Sequence, residues 1–205
     1  MGIYSNCIFP AAYDFLMRNP RLAEHRRSAL APVRGRILEI GIGTGLSLKA
    51  YPRDVEKIWA VDSNAGMLKK LAVKGAAGGI AVEASCAGAE SLPYDDNAFD
   101  TVACTHVLCS LPELARSLDE IRRVLRPDGQ FVFLEHGLSP EARVARWQRR
   151  LNAIQKRFAV GCTLDLPLRD VIPQAGFRFE TLEEYYLKRE AKTHGYLYQG
   201  VAVPA

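Results

Sequence analysis

Arg36-Ile37-Leu38-Glu39-Ile40-Gly41-Ile42-Gly43-Thr44-Gly45 is an apolar run, interrupted by one acid, that ends in three glycines at alternate positions. The apolar part reads as a buried strand, and Thr44 to Ala50 as the helix that follows it. Glycine serves where backbone turns tightly or meets a ligand, because it has no Cβ to clash. Strand, glycine turn and helix N-terminus together make a ligand site at the carboxyl end of a sheet. The spacing departs from the dinucleotide fingerprint G-x-G-x-x-G: the third glycine comes one residue early, and Leu46 occupies its place. The phosphate loop G-x-x-x-x-G-K-[ST] is absent. Glu39 puts a carboxylate just before the turn, which repels a pyrophosphate and suits a ligand carrying an ammonium. Asp62 closes the run Lys57-Ile58-Trp59-Ala60-Val61, 21 residues after Gly41, where a second strand would end. A carboxylate there accepts the two hydroxyls of a ribose.

Outward from this stretch, strands and helices alternate. The segment before Arg36 has helical composition over Ala11 to Met17 and Arg21 to Leu30, broken at Asn19-Pro20. Its aromatic and apolar side chains need something to cover. Strands are expected at Arg36 to Ile40, Lys57 to Val61, Ile80 to Ala84, Ala98 to Thr105 and Gln130 to Glu135. Asn64 caps a helix through Lys74 that Gly75 ends. Further helices are expected over Leu114 to Leu125, Ser139-Pro140 to Phe158 and Pro167 to Ala175. Gly176 to Leu187 and Gly195 to Val203 alternate with period two and read as a final antiparallel pair. This pattern predicts an α/β fold with a mostly parallel, doubly wound sheet of seven strands.

A chain of 205 residues suits one such domain. No run of about 18 apolar residues marks a membrane span. The first residues lack a basic start and apolar core, and Asn6 breaks the myristoylation pattern after Gly2. Five cysteines, odd in number and without a C-x-x-C pair, argue against a disulfide framework or a zinc site and for a reducing cytoplasm. A net charge of +4 is too mild to imply nucleic acid, and no RNA-binding signature appears. The helix ending at Phe158 carries six Arg and Lys beside Val144, Trp147, Leu151, Ile154 and Phe158. Such a helix can lie on an anionic membrane. More often its basic face is solvated and the apolar face covers the sheet.

Glu39-x-Gly41-x-Gly43-x-Gly45 followed by Asp62 resembles the first two signatures of the class I S-adenosylmethionine-dependent methyltransferases. Leu92-Pro93-Tyr94-Asp95-Asp96-Asn97-Ala98-Phe99-Asp100 resembles the family's "LPF-x-D-x-x-FD" segment. Leu125-Arg126-Pro127-Asp128-Gly129-Gln130 resembles its "L-x-P-G-G" turn, with Asp128 for a glycine. The resemblance implies a Rossmann-like core over residues 35–205 and an N-terminal helical lid over residues 1–34, with Tyr13 facing the ligand. It implies S-adenosyl-L-methionine as cofactor, released as S-adenosyl-L-homocysteine. Glu39, Gly41, Gly43 and Gly45 would surround the methionine part, Asp62 the ribose, and Ser63 and Met67 the adenine. Ala89, Glu90 and Thr105 complete the set. The family's usual acid for the adenine amino group falls at Gly88, which leaves that contact to backbone or to Glu90.

Candidates for a base at the acceptor end are His106, after the fourth strand, and His136, after the fifth. Cys104-Thr105-His106-Val107-Leu108-Cys109-Ser110, Glu135-His136, Trp147-Gln148, Gly161-Cys162 and Gly195-Tyr196 resemble the methyltransferase-like alkyl-thiol methyltransferases. His136 matches that family's histidine, whereas His106 replaces an apolar residue. The family's membrane anchor is missing from this sequence, which implies a soluble relative. Gly41 to Leu48 and Tyr51-Pro52 equally resemble bacterial phospholipid N-methyltransferases. The favoured expectation is a cytoplasmic enzyme methylating a small thiol, with His136 as base and Tyr13 and His106 lining the acceptor side. Its rivals are phospholipid or quinone-precursor methylation at a membrane surface, and a non-catalytic subunit that binds the cofactor and activates a partner.

Overall fold

The computed structural model describes residues 12, 14, 17–75, 79–159 and 161–205. Seven strands form one sheet in the order β3-β2-β1-β4-β5-β7-β6. They are β1 Ile37–Ile40, β2 Lys57–Val61, β3 Ala81–Ser85, β4 Phe99–Thr105, β5 Leu125–His136, β6 Phe177–Tyr186 and β7 Tyr196–Pro204. The described α-helices are α1 Pro20–Leu30, α2 Ala65–Gly75, α3 Leu114–Val124, α4 Ala142–Phe158 and α5 Leu168–Gln174. β1 pairs in parallel with both β2 and β4, so that Ile40 stands beside Val61 on one side and Cys104 on the other. Strand order therefore reverses between β1 and β4, the place where such sheets bind ligands. β7 inserts antiparallel between β5 and β6.

The sheet is covered on both faces, which is why its central strands are apolar throughout instead of alternating with polar residues. All four residues of β1 are buried. Side chains leave a strand on alternate faces. Phe131 and Phe133 thus join Leu118, Ile121 and Val124 of α3 in one core, while Val132 joins Leu30, Ile58 and Leu71 in the other. α1 continues this cover: its Leu22 and Ala29 pack on Leu134 and Leu197. Asn19 caps α1 by accepting from the amide of Arg21, and Pro20 begins the helix.

Three expectations change. Thr44 to Ala50 is not an α-helix: a turn leads into one short 3-10 turn, Leu48–Ala50. Gly45 holds φ +78°, which no helix accommodates, and Pro52 follows too soon for a longer helix to start. β5 begins at Leu125, before the expected turn. Its register steps from Phe99↔Leu125 to Thr101↔Gln130, so the Arg126–Gly129 turn is an excursion within one strand. α4 begins at Ala142, because Ser139 Oγ accepts from the amide of Glu141 and holds the preceding turn.

Candidate functional site

A cleft of about 340 Å³ opens beyond the carboxyl ends of β1, β2 and β4, at the strand-order reversal. Its floor is the glycine turn. Gly41 and Gly43 have φ of +67° and +56°, and both line the cleft. A Cβ on Gly41 would overlap the methyls of Val107, with Cγ1 only 2.7 Å away, so the turn closes on the loop after β4 only with glycine there. Gly43 donates its amide to Asp62 Oδ2 at 2.9 Å, and Asn64 donates to Oδ1 at 2.8 Å. These bonds aim the carboxylate along the cleft wall and leave each oxygen further lone pairs for a ligand hydroxyl. Burial raises the pKa of Asp62 against the pull of the two amides.

Ser63, Met67, Ala89 and Glu90 line the same cleft. The Glu90 carboxylate lies over the α-carbon of Gly88, in space that a side chain at 88 would fill. The sequence departure at Gly88 thus has a geometric counterpart: the acid two residues on occupies the vacated volume. From the loop after β4 and the end of α4, the cleft is lined by His106, Val107, Ser110, Leu111, Pro112 and Ala159. Of these, only His106 is an expected site residue. The other five are uncharged residues with no chemical signature, and only the fold brings Ala159, at the end of α4, to the loop after β4.

Glu39, Gly45 and Thr105, also expected in the site, are not part of the cleft lining. Glu39 is 1% exposed beneath the turn, where its carboxylate accepts from the Tyr51 hydroxyl at 3.0 Å. Burial pushes its pKa up to about 7, against the opposing pull of that hydroxyl and of Arg26. Gly45 serves packing: a Cβ there would stand 2.7 Å from Leu71 and 2.9 Å from Leu48. Thr105 is buried. Tyr13 lies outside the described residues. The N-terminal segment nevertheless reaches the turn, since Thr44 Oγ1 donates to the carboxylate of Asp14, which is 8% exposed.

The two histidines part company. His106, at φ +58°, lines the cleft, and its Nε2 has no hydrogen-bond partner among the described residues. Burial, with the charges of Arg26, His136 and His25, holds its pKa well below the usual imidazole range. Its Nε2 is enclosed and not open to the cleft. His136 stacks behind it, ring centroids 6.4 Å apart, and turns Nε2 to Cys162 Sγ at 3.2 Å. Glu135 is fully buried and accepts the amides of Val107 at 2.7 Å and Leu108 at 3.0 Å. It therefore positions the loop that carries His106. An acid inside the apolar run of β5 was the visible signal for it.

The helix α4 also departs from expectation. It buries Val144, Ala145 and Gln148, while Trp147, Ile154 and Phe158 are 49%, 61% and 63% exposed. These three share one helix face, with the Arg150 guanidinium over the Trp147 ring at 5.3 Å.

Known proteins agree with this geometry. The profile of a methyltransferase domain family matches residues 38–133. The chain is 33% identical over 154 residues to a phosphatidylethanolamine N-methyltransferase of Cereibacter sphaeroides, covering 73% of this chain and 71% of that protein. It is 33% identical over 152 residues to the thiol S-methyltransferase TMT1B of Rattus norvegicus, covering 72% of this chain and 62% of that protein. Across its curated relatives the chain spans as little as 40% of the matched protein's length. Among solved structures, the partner of the Haloferax volcanii Trm112 methyltransferase activator superposes with a TM-score of 0.73 at 16% identity, over 98% of this chain and 96% of that one. At that identity the likeness is one of fold.

Proposed function

Because the chain belongs to the class I S-adenosylmethionine-dependent methyltransferases, we propose that it methylates the sulfur of a small, apolar thiol. The observation that carries this reading is the uncharged acceptor end of the cleft. Among the described residues, the loop after β4 and the end of α4 contribute His106, Val107, Ser110, Leu111, Pro112 and Ala159 to the lining, whereas the charged lining residues, Asp62 and Glu90, follow β2 and β3. An ammonium or phosphate acceptor would find no opposite charge there. A thiol needs none, and with a pKa near 8.5 a few per cent is thiolate at neutral pH. The similarity to a thiol S-methyltransferase supports the same choice.

The cleft fits the cofactor. Side-chain-free backbone at Gly41 and Gly43 would meet its methionine part, and the aimed carboxylate of Asp62 its ribose hydroxyls. Ser63, Met67, Ala89 and Glu90 would flank its adenine. When bound, S-adenosylmethionine supplies an electrophilic methyl on sulfur and leaves as S-adenosyl-L-homocysteine. The chain's own part is alignment and exclusion of water. Val107, Leu111 and Pro112 hold an apolar acceptor in place. His106 lines the acceptor side as an uncharged wall, and the thiol loses its proton to solvent before the new carbon–sulfur bond forms. His136, with Nε2 on Cys162, supports the ring of His106 from behind.

Purified protein with methyl-labelled cofactor and a panel of alkyl thiols, alkyl amines, phenols and phosphatidylethanolamine vesicles tests this. Label should appear in the thiols. Label in amine or lipid alone would replace the reading, and turnover of no acceptor would favour a cofactor-binding subunit. One observation favours a second reading, methylation at a membrane surface: the exposed Trp147, Ile154 and Phe158 stand on a helix carrying Arg143, Arg146, Arg149, Arg150, Lys156 and Arg157.

A further inference from the structure

Behind the acceptor end, three ligating side chains meet. The thiols of Cys109 and Cys162 are 3.5 Å apart, and His136 Nε2 is 3.2 Å from Cys162 Sγ. All three atoms lie within 4.8 Å of one another. They come from three separate segments: the 3-10 turn Leu108–Ser110, the last residue of β5, and the stretch after α4. Both cysteines are buried and unbridged. A tetrahedral zinc ion, with bonds of about 2.3 Å to sulfur and about 2.0 Å to nitrogen, needs its sulfurs ~3.8 Å apart and sulfur and nitrogen ~3.5 Å apart. The sulfur–sulfur and Cys162–His136 separations are within a few tenths of an ångström of that geometry, and the third pair, Cys109 with His136, is held within 4.8 Å and closes on the cation when it binds. The donor set of two soft sulfurs and an imidazole is the one this class of cation selects.

We propose that Cys109, His136 and Cys162 bind a thiophilic divalent cation of the zinc class, with a fourth position left to a non-protein ligand. The cation ties together the segments that wall the acceptor end. Ser110 adjoins Cys109, Ala159 accepts the amide of Cys162, and Thr163 donates its amide to the Cys109 carbonyl. Coordination exchanges the weak contacts of buried thiols for three metal bonds. Each coordinating thiol gives its proton to solvent, so binding of the dication releases up to about two protons. The inference does not rest on the identity of the methyl acceptor.

Anaerobic titration of the full, phosphine-reduced chain with cobalt(II) tests it. One equivalent should produce visible d–d bands and sulfur-to-cobalt charge transfer, both displaced by one equivalent of zinc(II). Cys109→Ser, Cys162→Ser and His136→Asn should each weaken binding at least tenfold, whereas Cys86→Ser, at an exposed cysteine outside the trio, should leave it unchanged. The absence of a stoichiometric charge-transfer band in the folded wild-type chain overturns the proposal without recourse to any variant. So does wild-type binding by a folded Cys109→Ser/Cys162→Ser chain. No methyl acceptor enters these measurements, so their outcome is separate from that of the thiol panel.

Discussion

Gly41 and Gly45 both hold left-handed φ, yet an added methyl would meet different neighbours: Val107 on the cleft wall for the first, Leu71 and Leu48 in the core for the second. The two substitutions should therefore separate. Gly41→Ala should weaken binding of S-adenosyl-L-homocysteine by an order of magnitude or more, consistent with about 1–3 kcal/mol of backbone strain at the site. Gly45→Ala should chiefly lower the melting temperature, at a cost of about 1–3 kcal/mol from overpacking. Calorimetric titration alongside thermal melts reads both, and a Gly45→Ala chain that loses affinity at unchanged stability would reverse the assignment. Asp62→Asn keeps an oxygen for one of the two amides but offers less to a ribose. It should weaken the same ligand about tenfold, roughly 1.4 kcal/mol. Unchanged affinity would mean the ribose is held elsewhere.

At the scale of elements, the loop after β4 depends on β5. Glu135 holds the amides of Val107 and Leu108, and no other acceptor is recorded for them among the described residues. Glu135→Ala should cost about 1–3 kcal/mol through the unpaired amides. It should also reduce kcat more than cofactor affinity, because His106 and Ser110 ride on that loop. Glu135→Gln, which keeps an acceptor oxygen, should recover most of both; equal losses in the two variants would show that the amide bonds are not what matters. Element types and order were legible from apolar periodicity and from glycine and proline punctuation. Boundaries failed where backbone geometry overrode pattern. The run Thr44 to Ala50 has helical composition, but the left-handed Gly45 lies inside its first turn. The Arg126–Gly129 turn looked like a strand boundary because sequence shows the turn residues and not the pairing of Leu125 with Phe99 that precedes them.

For the molecule as a whole, two measurements discriminate. Glu39 is buried with its pKa raised from 4.5 to about 7, so its contribution to stability is full below 4.5 and is lost as pH rises through 7. At about 1.4 kcal/mol per pH unit, the loss approaches roughly 3 kcal/mol at most. Wild type should thus lose stability relative to Glu39→Gln between pH 4.5 and about pH 7, the window set by those two values. Parallel denaturation profiles for the two chains would contradict this. The exposed face of α4 governs the second measurement. If the membrane reading holds, wild-type protein should pellet with anionic vesicles and Trp147→Glu/Ile154→Glu should remain in solution. Failure of wild type to pellet at low salt would remove that reading.

The amino-acid sequence alone determined the α/β alternation, the parallel sheet with its antiparallel end, and the cofactor class. These follow from local signals: period, punctuation, and a glycine–acid spacing that admits an adenosyl sulfonium. Tertiary structure alone decided which of those residues face the ligand. It placed Glu39 and Gly45 beneath the turn, set His106 in front of His136, and exposed the apolar stripe of α4. It also gathered Cys109, His136 and Cys162, each 26 or 27 residues from the next, into one cluster. Facing and gathering depend on strand order and helix rotation, which arise from contacts between distant segments, and a one-dimensional pattern carries no record of those contacts.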